Sequence, residues 1–341
     1  MRVFTSVLIL CALSVVCLTQ TPQQTSDREQ GIALFKQNDT AAAIRLLKEA
    51  VKRNAQDGEA WYYLGLALNR QDNLKAACKA FENSTKAMPA FAPGHSAYAY
   101  ALLATNRTSD AADEARRALE LNANDADAHY VLGAVYIRQG NAAIAKREAD
   151  IAIKLKPVFP FAYLLKYQAL LLDYSQRAAA WRSNDDSSGK LDTNKPDAGN
   201  IKRSEVFGSA ADALETYLKQ RPQDNSSMWR DQLETLRVFA GASDEPTIPS
   251  RDVETRAKVL SKPGPSYTSS AQDAGIAGTV ILLAIFTSRG TVEHILILSY
   301  LPYGLTESAV AAAKKIKFVP AMKNGKPVSM FMQLEYNFNL Y

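Results

Sequence analysis

The sequence predicts two successive architectures: an all-α solenoid of paired helices, then a small α+β domain built on an antiparallel three-stranded sheet. Three observations carry this. Gly31, Gly65 and Gly133 stand 34 and 68 residues apart, and the position missing from that series holds Ala99. Ala43, Ala77, Ala111 and Ala145 keep the same 34-residue period, as do Ala50, Ser84, Ala118 and Ala152. Beyond Ala242 the helical period disappears, and β-branched, alternating runs replace it.

A chain of 341 residues has room for about two domains of 100 to 200 residues each. With 47% apolar and 22% charged residues the balance is globular, which excludes collagen, wholesale disorder and a multispanning membrane protein. The net charge of +5 is not gathered into any block, so nucleic acid is not an expected partner. Of three cysteines, Cys11 and Cys17 fall in the first apolar run and Cys78 stands alone, so neither a disulfide framework nor a paired zinc site can be built.

The N-terminal segment, residues 1–20, has the order of an export signal: Arg2, then the apolar stretch Val3 to Leu18, then polar residues. That stretch is short of the roughly 20 residues a bilayer-spanning helix needs. Cleavage after Thr19, retention as an anchor and lipidation at Cys17 are all open, although Val16 fits the last poorly. The rest of the chain is expected outside the cytoplasm, in the periplasm or anchored in the inner membrane and facing it. Membrane association would run only through this segment.

From residue 24 to 241 the sequence reads as helix, turn and helix repeats beginning near Gln24, Gly58, Ala92 and Ala126, with Pro89 and Pro157 ending second helices. Trp61, Leu64, Gly65, Ala77, Phe81 and Pro89 fall at the signature positions of one such unit, and the pattern resembles the tetratricopeptide repeat. A fifth unit starts at Pro160 and Tyr163. Its second helix is displaced, because Ala210, Leu214, Tyr217 and Pro222 repeat the offsets of Ala145, Ala149, Ala152 and Pro157. The inserted residues, about 176–206, are polar and read as a mobile loop. Asn184, Asp186, Ser188 and Gly189 imitate part of a calcium loop, but Lys195 occupies the place of the bidentate glutamate. A closing helix over 226–241 carries Trp229, Leu233, Leu236 and Phe239, and its polar face is expected to end the stack.

Residues 242–252 read as a linker on their Ser, Asp, Glu and proline content. The domain at 253–341 follows: a hairpin of Thr279 to Thr287 and Thr291 to Ser299, a helix from Leu305 to Ile316, a turn at Asn324 and Gly325, and a last strand from Val328 to Leu340. Pro265, Tyr267, Gly275, Gly278, Gly290, Ala309, Phe318, Pro320, Gly325 and Pro327 occur in the order of the C-terminal domain of the TonB family, which this region resembles. Thr268 and Ile316 depart from it, standing where the family usually has Pro and Trp.

No nucleophile elbow, phosphate-binding loop, dinucleotide fingerprint or paired-histidine zinc motif is present, so no enzyme and no cofactor are expected. Of three histidines, His95 and His129 occupy the repeat position of Trp61 and read as packing residues. Binding of proteins or extended peptides remains. The repeat resemblance places Tyr62, Leu66, Asn69, Tyr100, Leu103, Tyr130 and Ile137 on a concave surface, where they either meet a partner or only pack between repeats. The TonB resemblance implies peptide capture at a sheet edge by Ser329, Phe331, Gln333, Glu335, Tyr336 and Asn337, with homodimerisation through the same strand as the competing use. The implied function is a TonB-like envelope protein engaging segments such as those of outer-membrane receptors and coupling energy to transport. The alternative is an extracytoplasmic scaffold or assembly factor without energy transduction.

Overall fold

The computed structural model describes residues 26–183, 203–241, 247–248 and 252–340. The expected export segment, most of the polar insertion and most of the linker lie outside the described residues. Two compact units make up the chain, Met1–Ala87 and Met88–Tyr341.

The first unit holds two helical pairs, α1 (Asp27–Lys36) with α2 (Thr40–Arg53) and α3 (Gly58–Arg70) with α4 (Leu74–Ala87). Ser26 and Glu29 form a reciprocal capping box on α1, and Asp39 and Asp57 accept from the first-turn amides of α2 and α3. The glycines of the period sit where helices touch. A Cβ on Gly31 would lie 2.7 Å from Leu47 Cγ, and one on Gly65 would lie 2.6 Å from the Phe81 ring.

The second unit continues the pairs with α5 (Ala92–Ala104), α6 (Thr108–Leu121), α7 (Ala126–Arg138), α8 (Ala142–Leu155), α9 (Pro160–Ser183) and α10 (Arg203–Gln220). A further period appears at the turn inside each of the first four pairs. Asn38, Asp72, Asn106 and Gly140, again 34 residues apart, have φ of 64°, 58°, 64° and 73°. Asn, Asp and Gly are the residues that tolerate this left-handed backbone. The polar insertion is narrower than expected, since α9 and α10 extend into it at both ends. Asp173 pairs with Arg177 at i,i+4, and strongly helix-forming alanines follow, so the helix carries past residue 176.

After α11 (Ser227–Phe239) come β1 (Thr247–Ile248), β2 (Lys258–Ser261), α12 (Ser269–Asp273), β3 (Gly278–Phe286), β4 (Val292–Ser299), α13 (Leu305–Ala313), β5 (Lys317–Val319), β6 (Ala321–Lys323) and β7 (Lys326–Phe338). The expected antiparallel trio is present as β7-β3-β4. It is larger than expected, because β7 outruns β3: β1, which lies within the expected linker, pairs in parallel at Ser329 and Met330, and β6 pairs with residues 326–328. β2 and β5 form a separate ribbon.

One face of the sheet packs Val280, Leu282, Leu334 and Tyr336 around Leu305, Ala309 and Ala313 of α13. The other packs Leu283, Ile285, Leu296 and Leu298 against Phe207, Leu214, Leu236 and Phe239. Helix α11 therefore does not end the stack on a polar face. It buries Gln232, Thr235, Leu236 and Phe239 and joins the repeats to the sheet through one core. Burial on both faces explains why β3 reads as a nearly unbroken apolar run.

Candidate partner-binding surfaces

The direction of the β7 main chain follows from three contacts. Ser299 Oγ donates to the Thr279 carbonyl, so that carbonyl faces β4 and away from β7. Asn337 is the register partner of Thr279, and its main-chain groups therefore face away from β3. Lys262 Nζ donates to the Glu335 carbonyl at 2.7 Å from outside the β3 ladder, two residues earlier and on the same side. On the far side of the sheet the Ile297 amide donates to Gln232 at 2.9 Å, which turns its partner Leu282 toward Leu334. Gln333, Glu335 and Asn337 thus direct their main chains outward, and Leu334 and Tyr336 direct theirs into the sheet. Past Met330, β3 is the one strand that pairs with β7 among the described residues.

Side chains divide the six expected residues differently. Glu335 and Asn337 are exposed, and half-buried Gln333 donates to Glu335 at 3.1 Å. Phe331 packs edge-on against Phe239 at 4.9 Å. Ser329 and Tyr336, expected to meet a partner, are instead 2% and 4% exposed. The Ser329 hydroxyl accepts from the Ser288 amide, and Tyr336 belongs to the α13-side core under the Lys262 ammonium, because even-numbered β7 side chains point there.

In the first unit Tyr62, Leu66 and Asn69 lie half-buried on α3, with the Tyr62 ring 5.4 Å from Tyr63 and 6.1 Å from Phe81. In the second, Tyr100 is 37% exposed, and its ring stands 6.4 Å from that of half-buried Tyr130, whose hydroxyl burial pushes up to about 12. Ile137 is half-buried. Leu103 is a correction: at 6% exposure it belongs to the packing of α5, a helix apolar nearly all round. His95 and His129 do pack, each with a carboxylate, Glu114 and Glu148, at 2.7 Å.

Two features escaped the sequence reading. Gln232 bonds β4 twice, donating to the Ile295 carbonyl and accepting from the Ile297 amide, both at 2.9 Å. Its signal was a lone amide on the apolar stripe of Trp229, Leu233 and Leu236. The other is a cavity between α11, β4 and α13. Among the described residues no helix is long and apolar enough to cross a membrane.

A helical repeat array sharing a core with a small sheet domain, one strand of which turns main-chain groups outward, defines an interaction protein. The description "Gram-negative bacterial TonB protein C-terminal" matches residues 263–340, and a tetratricopeptide repeat family matches 28–93 and 97–157. The chain is a tetratricopeptide repeat protein with a TonB C-terminal domain, and both modules serve protein–protein interaction. No curated protein matches it. Among solved structures it is similar to MamA (20% identity, 57% of this chain and 95% of that one, TM-score 0.40). A thermophilic repeat protein of Thermus thermophilus gives 18% identity, 62% and 97% coverage and a TM-score of 0.43. YrrB, described as having an unusual peptide-binding site, gives 16%, 60% and 87%, and 0.39.

Proposed function

We propose that this is an exported, envelope-facing protein whose TonB-like domain captures an extended peptide of a membrane partner along β7, while the repeats dock a second protein surface. The observation that carries the reading is the outward direction of the Gln333 and Asn337 main chains, on a strand long enough to accept a further strand. Main-chain bonds would supply affinity. The exposed Glu335 and Asn337 side chains would supply selectivity, and a bound peptide would replace the Lys262 contact at the Glu335 carbonyl.

Coupling of energy to outer-membrane transport additionally requires residues 1–20 to stay as an anchor. The core shared by α9–α11 and the sheet favours a second reading, a scaffold that holds both modules in fixed register. A photo-crosslinking residue at Asn337 in intact cells, followed by fractionation and mass measurement of the mature chain, tests both. Envelope capture of a membrane protein supports the proposal, and a cytosolic chain overturns it. An intact N-terminus favours the coupler, and a cleaved one the scaffold.

A further inference from the structure

We propose that the cavity between α11, β4 and α13 binds a cationic side chain, an arginine or lysine presented by a peptide. It measures about 460 Å³, within the range of ligand sites. Ile295, Ile297 and Val310 give it apolar walls suited to a methylene stem, and Asp231, Glu234, Glu293 and Glu307 ring it with carboxylates. Lys314 and His294 are the basic residues on the lining, so negative charge prevails.

Glu293 is held by Arg289 at 3.1 Å. Asp231, Glu234 and Glu307 make no ion pair among the described residues. An independent sign of a ligand is Thr235, which lines the cavity at 4% exposure with no hydrogen-bond partner among the described residues. A hydroxyl on the cavity wall that is not engaged elsewhere can accept from an entering N–H donor. Among the described residues no three His, Cys, Asp or Glu converge as a metal set, so the charge is spread for an extended organic cation. The occupant would touch α11 and α13 together and tie the last repeat helix to the TonB-like domain. This surface is separate from β7.

The test is binding of fluorescent hexaarginine to the full chain by anisotropy at low salt, with hexaglutamate as the control. Wild type is expected to prefer hexaarginine. Asp231→Asn with Glu307→Gln should weaken binding about tenfold. Ala311→Trp, at an exposed lining position, should do the same with every charge in place. Gln333→Pro should bind as wild type. Wild-type affinity in Ala311→Trp, loss of binding in Gln333→Pro, or no preference for hexaarginine over hexaglutamate would each overturn the site.

Discussion

His129 Nδ1 lies 2.7 Å from a Glu148 carboxylate oxygen, and one period earlier His95 and Glu114 repeat the pair at the same distance. The other His129 nitrogen faces the Ala123 carbonyl at 3.3 Å, so both neighbours are acceptors and the doubly protonated ring satisfies both. The Glu148 hydrogen bond raises the His129 pKa above its ordinary 6.5, and the same bond lowers Glu148 below 4.5. A raised histidine stabilises fully below its unfolded value and loses that contribution as pH climbs through the folded one. A lowered carboxylate does so above its unfolded value and loses it as pH falls. The pair should therefore contribute most between about pH 4.5 and 6.5.

His129→Gln should accordingly lower the melting temperature most in that window and progressively less at alkaline pH. In the second repeat Trp61 Nε1 donates to the Ala55 carbonyl, and Ala80 stands where the later units have glutamate. The double change His129→Trp with Glu148→Ala should thus keep the fold and remove this part of the pH response. A melting difference flat from pH 5 to 9 in the single variant would reject the charged pair.

The repeats were legible because close helix contact demands small residues at fixed offsets, and Gly31, Gly65 and Gly133 cannot be replaced cheaply. The turn period was equally present at Asn38, Asp72, Asn106 and Gly140, but three residue types share it and only backbone conformation unites them. Glu148 could not be assigned to His129, since that contact joins two helices. The last strand was legible, but the resemblance that set its partner-facing residues does not say which parity faces α13, and Tyr336 lies on that side. Ser329 shares the parity of exposed Glu335 and Asn337 and is buried instead because β1 pairs beside it and its hydroxyl accepts from the Ser288 amide. Strand β1 is too short to leave a pattern, and Gln232 reveals its purpose only once β4 lies beside it.

Gly65→Ala should destabilise the first unit. The added carbon would meet the Phe81 ring at 2.6 Å, and that ring is 2% exposed and cannot swing clear. Overpacking of this kind costs about 1 to 3 kcal/mol, which outweighs the helix propensity gained by alanine. Urea denaturation followed by helical circular dichroism measures it, and an unchanged midpoint would contradict the contact.

Gln232→Leu should loosen the junction between α11 and the sheet. The change leaves the Ile295 carbonyl and Ile297 amide without their buried partner, a cost of about 1 to 3 kcal/mol per group. Hydrogen exchange at the Ile297 amide should accelerate while exchange in β7 changes little. Equal protection in both proteins would show that β4 does not depend on the glutamine.

Tyr336→Phe should be neutral or stabilising by about 1 kcal/mol, because the tyrosine hydroxyl is buried with no hydrogen-bond partner among the described residues. The ring, and with it the Lys262 contact at 4.5 Å, remains. A clear loss of stability in thermal melts would mean that the hydroxyl is engaged after all.

Proline substitution along β7 separates the outward main chain from the inward one. Gln333 turns its amide away from β3, so Gln333→Pro removes no ladder bond to β3 and should melt close to wild type, as edge prolines do. Glu335→Pro shares that parity and should behave alike. Leu334 pairs with Leu282 and is 4% exposed, so Leu334→Pro deletes an interior donor and should unfold the domain. Titration with TonB-box-like peptides of outer-membrane receptors should then show binding by wild type and at least about tenfold weaker binding by both outward variants, since an added strand needs the amides they lose. Wild-type affinity in folded Gln333→Pro and Glu335→Pro would remove β7 as the receiving edge. A folded Leu334→Pro would reverse the assigned parity.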